Sequence, residues 1–188
     1  MTKTLIFDRM EECTDAEVQR LFPLVSRQRA GQARRFRFTF GQFACLKSYT
    51  MLAELTGIDD MTFGFGEHGK PFIIGHDGLH FSISHCKTAL AVALSDRPVG
   101  IDVESLRHAG ESLMRRTMNR TEQSMILAAD NPDMEFTRLW TRKEAVLKLR
   151  GTGITDNLYD VLSGGECVET RECRNYVWSV ASEPHVAL

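Results

Sequence analysis

The residue pattern predicts an α+β fold with antiparallel sheets. Helix-like and strand-like stretches fall in separate blocks rather than in strict βαβ alternation. The segments Gly41 to Leu55 and Glu135 to Arg150 read as long helices, the first apolar at Phe43, Leu46, Tyr49, Leu52 and Ala53. The stretch Leu79 to Ser84 alternates apolar and polar residues, and the Ala/Val/Leu run from Thr88 to Leu94 fits it as a hairpin partner. A chain of 188 residues is one domain, or two small units sharing a core, and it can bury that core without staples.

In chain order, Asp15 to Leu24 reads as a first helix and Gly41 to Leu55 as a second, with Gly57 as its stop signal. Met61 to Phe65 is a short strand candidate, followed by the turn Gly66-Glu67-His68-Gly69. In the next strand Leu79, Phe81 and Ile83 face one way, and His80, Ser82 and Ser84 the other. Asp96-Arg97-Pro98 breaks the chain, and Val99 to Glu104 forms another strand. Thr121 to Ala129 and Glu135 to Arg150 read as helices, the second ended by Gly151 and Gly153. Beyond Leu158 the runs are strand-like, such as Tyr176 to Val180.

With 43% apolar and 26% charged residues, the composition excludes disordered and collagen-like chains. A net charge of -2 gives no general argument for nucleic acid. No apolar run is long enough to span a membrane, and the first ten residues have no signal-peptide core. Five cysteines with no C-x-x-C pair suggest neither a disulfide framework nor a zinc knuckle. Free thiols point to a reducing, cytoplasmic setting.

Charge is nevertheless uneven. Between Val18 and Ala53 there is no Asp or Glu, while Arg20, Arg27, Arg29, Arg34, Arg35, Arg37 and Lys47 lie there. Solvated helix faces usually mix signs, so this stretch suits a multiply charged anion such as a phosphate-rich ligand. In Gly100-Ile101-Asp102-Val103-Glu104, alternation puts Asp102 and Glu104 on one strand face, roughly 7 Å apart, with Val99, Ile101 and Val103 toward the core. Alone, such a pair is an ordinary polar face; with a third carboxylate it is a hard-cation site. Glu144 and Lys148 share a helix face with Trp140 one turn earlier. On its own that is a surface ion pair, but the Trp suggests a partly buried site. Asp102, Glu104 and Glu144 around one Mg²⁺, with Lys148 offsetting charge on a transferring group, read as phosphoryl-type chemistry.

Four motifs occur in order: Gly69-Lys70-Pro71, Phe81-Ser82-Ile83-Ser84-His85-Cys86, Gly100-Ile101-Asp102-Val103-Glu104, and Trp140 to Lys148 with Gly151 and Gly153. The set resembles the 4′-phosphopantetheinyl transferases, in particular the monomeric Sfp-type branch. The resemblance implies two similar α+β halves related by a pseudo-twofold axis, here 1–98 and 99–188, with coenzyme A in the cleft between them. It implies transfer of 4′-phosphopantetheine from coenzyme A to a serine of an apo acyl or peptidyl carrier protein, with 3′,5′-ADP leaving. A non-catalytic coenzyme A or nucleotide binding protein is the alternative, which the three acids disfavour.

The same resemblance assigns roles. Asp102, Glu104 and Glu144 match the metal acids, and Glu144 the acid that activates the carrier serine, with Lys148 as rival proton acceptor. Lys148 also matches a ligand of the pantetheine-side phosphate. His85 matches a contact to the 3′-phosphate, with Ser84 helping through hydroxyl or backbone. Lys70 and Pro71 match the loop lining the nucleotide pocket, Lys70 on phosphate. Arg29 falls where a family cation reaches the phosphates, and Gln32 departs from a second such cation. Glu122 matches an acid near the metal, although a helix N-terminal Glu reads equally well. The carrier is expected to dock a negatively charged helix, with Met114, Met118 and Met125 as candidate contacts.

Overall fold

A computed structural model describes residues 1–153 and 158–184 of the chain. Strand β1 (Lys3–Phe7) pairs antiparallel with β5 (Leu90–Ser95), and β5 pairs antiparallel with β4 (His80–His85), giving the order β1-β5-β4. All six residues of β5 are buried because both of its faces are covered. Leu90, Val92 and Leu94 turn into one core, while Ala89, Ala91 and Ala93 turn into another. Side chains alternate across a strand, so the large residues meet a helix and the small ones meet a second sheet.

That helix is α3 (Thr39–Thr56), which packs on β5 through Phe43, Leu46 and Tyr49. Gly57 ends it in the left-handed region at φ 71° and donates to Ala53 O at 2.8 Å, a closure that glycine permits without strain. Helices α1 (Asp15–Leu21) and α2 (Arg27–Ala33) precede it, capped by the hydroxyls of Thr14 and Ser26. A separate hairpin of β2 (Phe63–Phe65) and β3 (Pro71–Ile73) lies between α3 and β4.

The second sheet has β6 (Val99–Ser105), β7 (Cys167–Glu172) and β8 (Tyr176–Ser182) in the order β6-β8-β7, all antiparallel. Val99, Ile101 and Val103 pack with the alanines of β5, as the alternation predicts. Helix α6 (Pro132–Arg150) covers the other face of β6 and β8. At Gly100 the approach is so close that a Cβ would stand 2.0 Å from Ala145 O and 2.3 Å from Leu149 N. The glycine of the G-x-D-x-E motif is therefore a contact point between strand and helix backbones. Helices α4 (Glu111–Thr117) and α5 (Arg120–Ala128) complete this part.

The sheets meet along β4 and β6. Here the expected polar face of β4 is buried rather than wet: Ser82 Oγ accepts from Ile101 N at 3.0 Å, and Ser82 and Ser84 are both under a tenth exposed. Buried hydroxyls at a strand–strand seam need partners, and the seam supplies them. Among the described residues, no helix is long and apolar enough to cross a membrane.

Candidate active site

The seam between β4 and β6 gathers the chemistry. Asp102 is 4% exposed, and its Oδ1 accepts from Ser84 Oγ at 2.8 Å and from Lys148 Nζ at 2.7 Å. Lys148 Nζ also donates to Ser84 Oγ at 2.8 Å. One strand of each sheet and the helix α6 thus meet at a three-membered polar knot. Asp102 Oδ2 is buried with no hydrogen-bond partner among the described residues. Leaving an acceptor of a buried carboxylate unmatched costs about 1–3 kcal/mol, which marks this oxygen as one built for a ligand.

Glu104 and Glu144 flank the knot. Burial, and then the charge of Asp102, push both carboxyls above the usual carboxylate range. Glu104 raises Glu144 as well, while Lys148 and Arg107 pull both down, so the carboxylates feel one another. They do not, however, form a ready cage: among the described residues no three His, Cys, Asp or Glu side chains are gathered to hold a metal ion. Here Asp102, Glu104 and Glu144 are neighbours rather than a closed cage. The physical reason is that cations already accompany two of them, Lys148 on Asp102 and Arg107 at 3.8 Å from Glu104. The donor set remains one of hard oxygens, suited in kind to a divalent cation such as Mg²⁺, and Asp102 Oδ2 is the oxygen left open.

Trp140, Glu144 and Lys148 occupy one half-buried stripe of α6, as the four-residue spacing predicts. Next to it a hollow of about 380 Å³ has apolar walls from Pro71, Phe81, Ile83 and Leu147 and polar groups from Glu144 and Lys148. A second hollow of about 470 Å³ holds His85, Lys87, Glu104 and Arg107 beside Phe40. His85 ends β4 and meets the Phe40 ring edge-on, with centroids 5.7 Å apart. Although its ring reaches solvent, burial and then the charge of Lys148 lower its pKa. Without an anion beside it, this site therefore favours the neutral ring.

Several expected phosphate contacts are engaged elsewhere. Lys70 Nζ donates to Leu149 O at 2.9 Å and to Val99 O at 3.2 Å, and burial lowers its pKa. It ties the β2–β3 hairpin to the end of α6 instead of reaching outward, although Lys70 and Pro71 do line the first hollow. Ser84 spends its hydroxyl on Asp102. Arg29 donates to Cys45 O and Ser48 Oγ, both at 2.9 Å, and to Gln32 Oε1 at 3.2 Å, and its guanidinium lies 5.5 Å from the Phe63 ring centroid. Burial lowers its pKa, yet its charge is still felt at His85. Other cations of the acid-free segment rest on rings, Arg34 on Phe22 and Lys47 on Phe7.

Glu122 forms a capping box with Asn119 at the start of α5 and a 2.7 Å ion pair with Lys143. Lys143 is fully buried, and its ammonium also donates to Thr117 O and Leu158 O. Of the two readings of Glu122, the structure shows the helix N-terminal one, as a cap of α5 that also pairs with Lys143. Lys143 escaped the sequence reading because it sits among polar neighbours; only its i-1 step from Glu144 hinted at the opposite, inward face. Met114 and Met118 are buried in a core with Phe136 and Leu139, which removes them from the carrier surface, whereas Met125 is exposed.

Known proteins resemble this chain in sequence. Residues 98–178 match the family model of the 4′-phosphopantetheinyl transferase superfamily. The chain is 31% identical over 151 residues to a 4′-phosphopantetheinyl transferase of Bacillus subtilis, covering 74% of this chain and 66% of that protein. It is 28% identical to the 4′-phosphopantetheinyl transferase psf-1 of Bacillus pumilus, covering 76% and 64%. Against 4′-phosphopantetheinyl transferase AcpT of Salmonella typhi, identity is 33% over 115 residues, covering 55% and 59%. The chain therefore spans less than two thirds of the length of these relatives. With residues of three of its four motifs meeting in one polar knot between two sheets, the chain belongs to the 4′-phosphopantetheinyl transferase superfamily.

Proposed function

We propose that this protein transfers 4′-phosphopantetheine from coenzyme A to a serine of an apo acyl or peptidyl carrier protein. The observation that carries the reading is the Lys148–Ser84–Asp102 knot, with the unpartnered Asp102 Oδ2 and Glu144 on the same stripe as Lys148. In this reading 1–98 and 99–188 are the two halves, and coenzyme A lies between them with its diphosphate at the knot.

The serine oxygen bonds to the pantetheine-side phosphorus, the bond from that phosphorus to the bridging oxygen breaks, and 3′,5′-ADP leaves. Such transfers depend on positioning and charge more than on covalent help from the protein. Lys148, an ammonium donating to a carboxylate, serves as a donor to phosphate oxygen. Glu144 takes the serine proton, because partial burial raises its pKa and makes its carboxylate a stronger base than a fully exposed one. Asp102, Glu104 and Glu144 would hold Mg²⁺, which when bound supplies neutralisation of diphosphate charge. His85 would reach the 3′-phosphate from the end of β4.

The test is incubation with coenzyme A, Mg²⁺ and a panel of apo carriers, followed by mass spectrometry of each carrier. A gain of the phosphopantetheine mass on serine is expected. Coenzyme A cleavage without carrier modification, or binding without any gain, would overturn the reading.

A further inference from the structure

Arg107 follows Glu104 by three residues, just past the end of β6. Its backbone N–H donates to Thr137 Oγ1 at 2.9 Å, so α6 fixes where its side chain begins. Its guanidinium lies 5.1 Å from the Trp140 ring centroid, and Trp140 is itself stacked on Phe136 at 6.2 Å. Trp140 thus serves as a plate that holds a cation above the acid group. From there the guanidinium stands 3.8 Å from Glu104 Oε1. That is within reach of charge attraction but too long for a hydrogen bond. The Trp140 indole N–H lies near Glu104 as well, yet it is buried and completes no hydrogen bond among the described residues. The Glu104 carboxylate is therefore attracted from two sides without being fixed by either.

We infer that Arg107, stacked on Trp140, is a positioning residue: it is the internal counter-ion of Glu104 that a divalent cation displaces when the three acids close around it. The inference rests on the metal-dependent transferase reading. Three carboxylates in one seam repel one another, and two positive side chains answer them. Lys148 does so through a short hydrogen bond to Asp102. Arg107 does so through a long, unfixed contact, which is the easier of the two to exchange. A divalent cation held by these acids would supply the positive charge that Arg107 supplies in its absence, and like charges repel. The guanidinium is left on the indole, facing the second hollow beside His85.

Counter-ion and scaffold roles differ in the sign of one measurement. Mn²⁺ alone, with no nucleotide, is titrated into the wild type, Arg107→Gln and Arg107→Lys, and free Mn²⁺ is read by electron paramagnetic resonance. Arg107→Gln is expected to bind Mn²⁺ about fivefold to tenfold tighter, because removing a positive charge near the site removes its repulsion; Arg107→Lys stays near the wild type. Trp140 emission, read in a Trp178→Phe background, should change with Mn²⁺ in the presence of Arg107 and change less in its absence. The Arg107 side chain is 44% exposed, so neither variant threatens the fold. Equal or weaker Mn²⁺ binding by Arg107→Gln overturns the assignment while leaving the metal reading in place. No saturable Mn²⁺ binding by any of the three proteins overturns both.

Discussion

Lys148 Nζ donates to Asp102 Oδ1 at 2.7 Å, joining α6 to β6, while the other oxygen of the same carboxylate has no partner among the described residues. One carboxylate thus has two unlike oxygens: one is held by the protein's own cation, and the other is presented. Removing the cation alone leaves a buried charge with only Ser84 to answer it. The Lys148→Met variant should lose about 1–3 kcal/mol, below the cost of breaking a wholly buried pair because Lys148 is 30% exposed. Adding Asp102→Asn should recover part of that loss, giving a coupling of about 1 kcal/mol or more in denaturant unfolding. Simple additivity of the two changes would show that the pair is not coupled.

Transfer activity should fall at least about a hundredfold in Asp102→Asn, a loss in the range of removing one preorganised charge-stabilising group. The fold should persist, since the amide can still accept from Ser84 and Lys148. Wild-type turnover in a single-turnover assay would remove Asp102 from the reaction.

Gly100→Ala places a methyl group 2.0 Å from a backbone oxygen and 2.3 Å from a backbone nitrogen of α6. Neither atom belongs to a flexible side chain, so sheet and helix must separate. A loss of about 3 kcal/mol or more is expected, at the upper end of overpacking effects. Gly110→Ala, where a Cβ meets nothing within 4 Å, is the control and should unfold near the wild type. Similar midpoints for both variants would contradict the close approach.

His85 gives a pH dependence with a definite sign. Burial and the Lys148 charge lower its pKa, so the free protein favours the neutral ring. A bound phosphate favours the charged ring, so binding takes up a proton and affinity for 3′,5′-ADP rises as pH falls from neutral through the free-state pKa. Imidazole resonances followed by NMR should titrate below the usual histidine value in the free protein and higher with 3′,5′-ADP. His85→Gln should flatten the affinity profile. An imidazole that titrates at the same pH with and without the nucleotide would rule out the contact.

For Lys70, two carbonyl acceptors make a ligand-independent forecast. Lys70→Met should lower the thermal midpoint in the absence of coenzyme A, by an amount equivalent to about 1–2 kcal/mol for two lost hydrogen bonds to a charged group. An unchanged midpoint, with weaker coenzyme A binding, would return Lys70 to the phosphate role that its motif implies.

Much of the architecture is written in local pattern. The helix ends at Gly57 and Gly151 follow from glycine's access to positive φ, and both lie where the periodic residues stop. The alternation of Val99, Ile101 and Val103 against Asp102 and Glu104 holds in the folded strand. Predicted strands and helices shift by only a few residues: His80–His85 and Pro132–Arg150 are the observed spans. By contrast, β1, α2 and α4 gave no comparable signal, because their apolar and polar residues do not fall into a clear strand or helix period.

Residue type and spacing were enough to set which groups share a face: oxygen donors on alternate strand positions, a Glu and a Lys one helical turn apart, and glycines where backbones turn or touch. These depend on neighbours along the chain, and the geometry of one strand or helix fixes them. Which partner each long side chain takes was settled only when distant segments met. Lys70 found the end of α6, Arg29 found Cys45 and Ser48, Lys143 found Glu122, and Arg107 found Trp140. A lysine or arginine reaches several ångströms from its backbone, so its acceptor is chosen by packing and desolvation, neither of which is encoded in spacing.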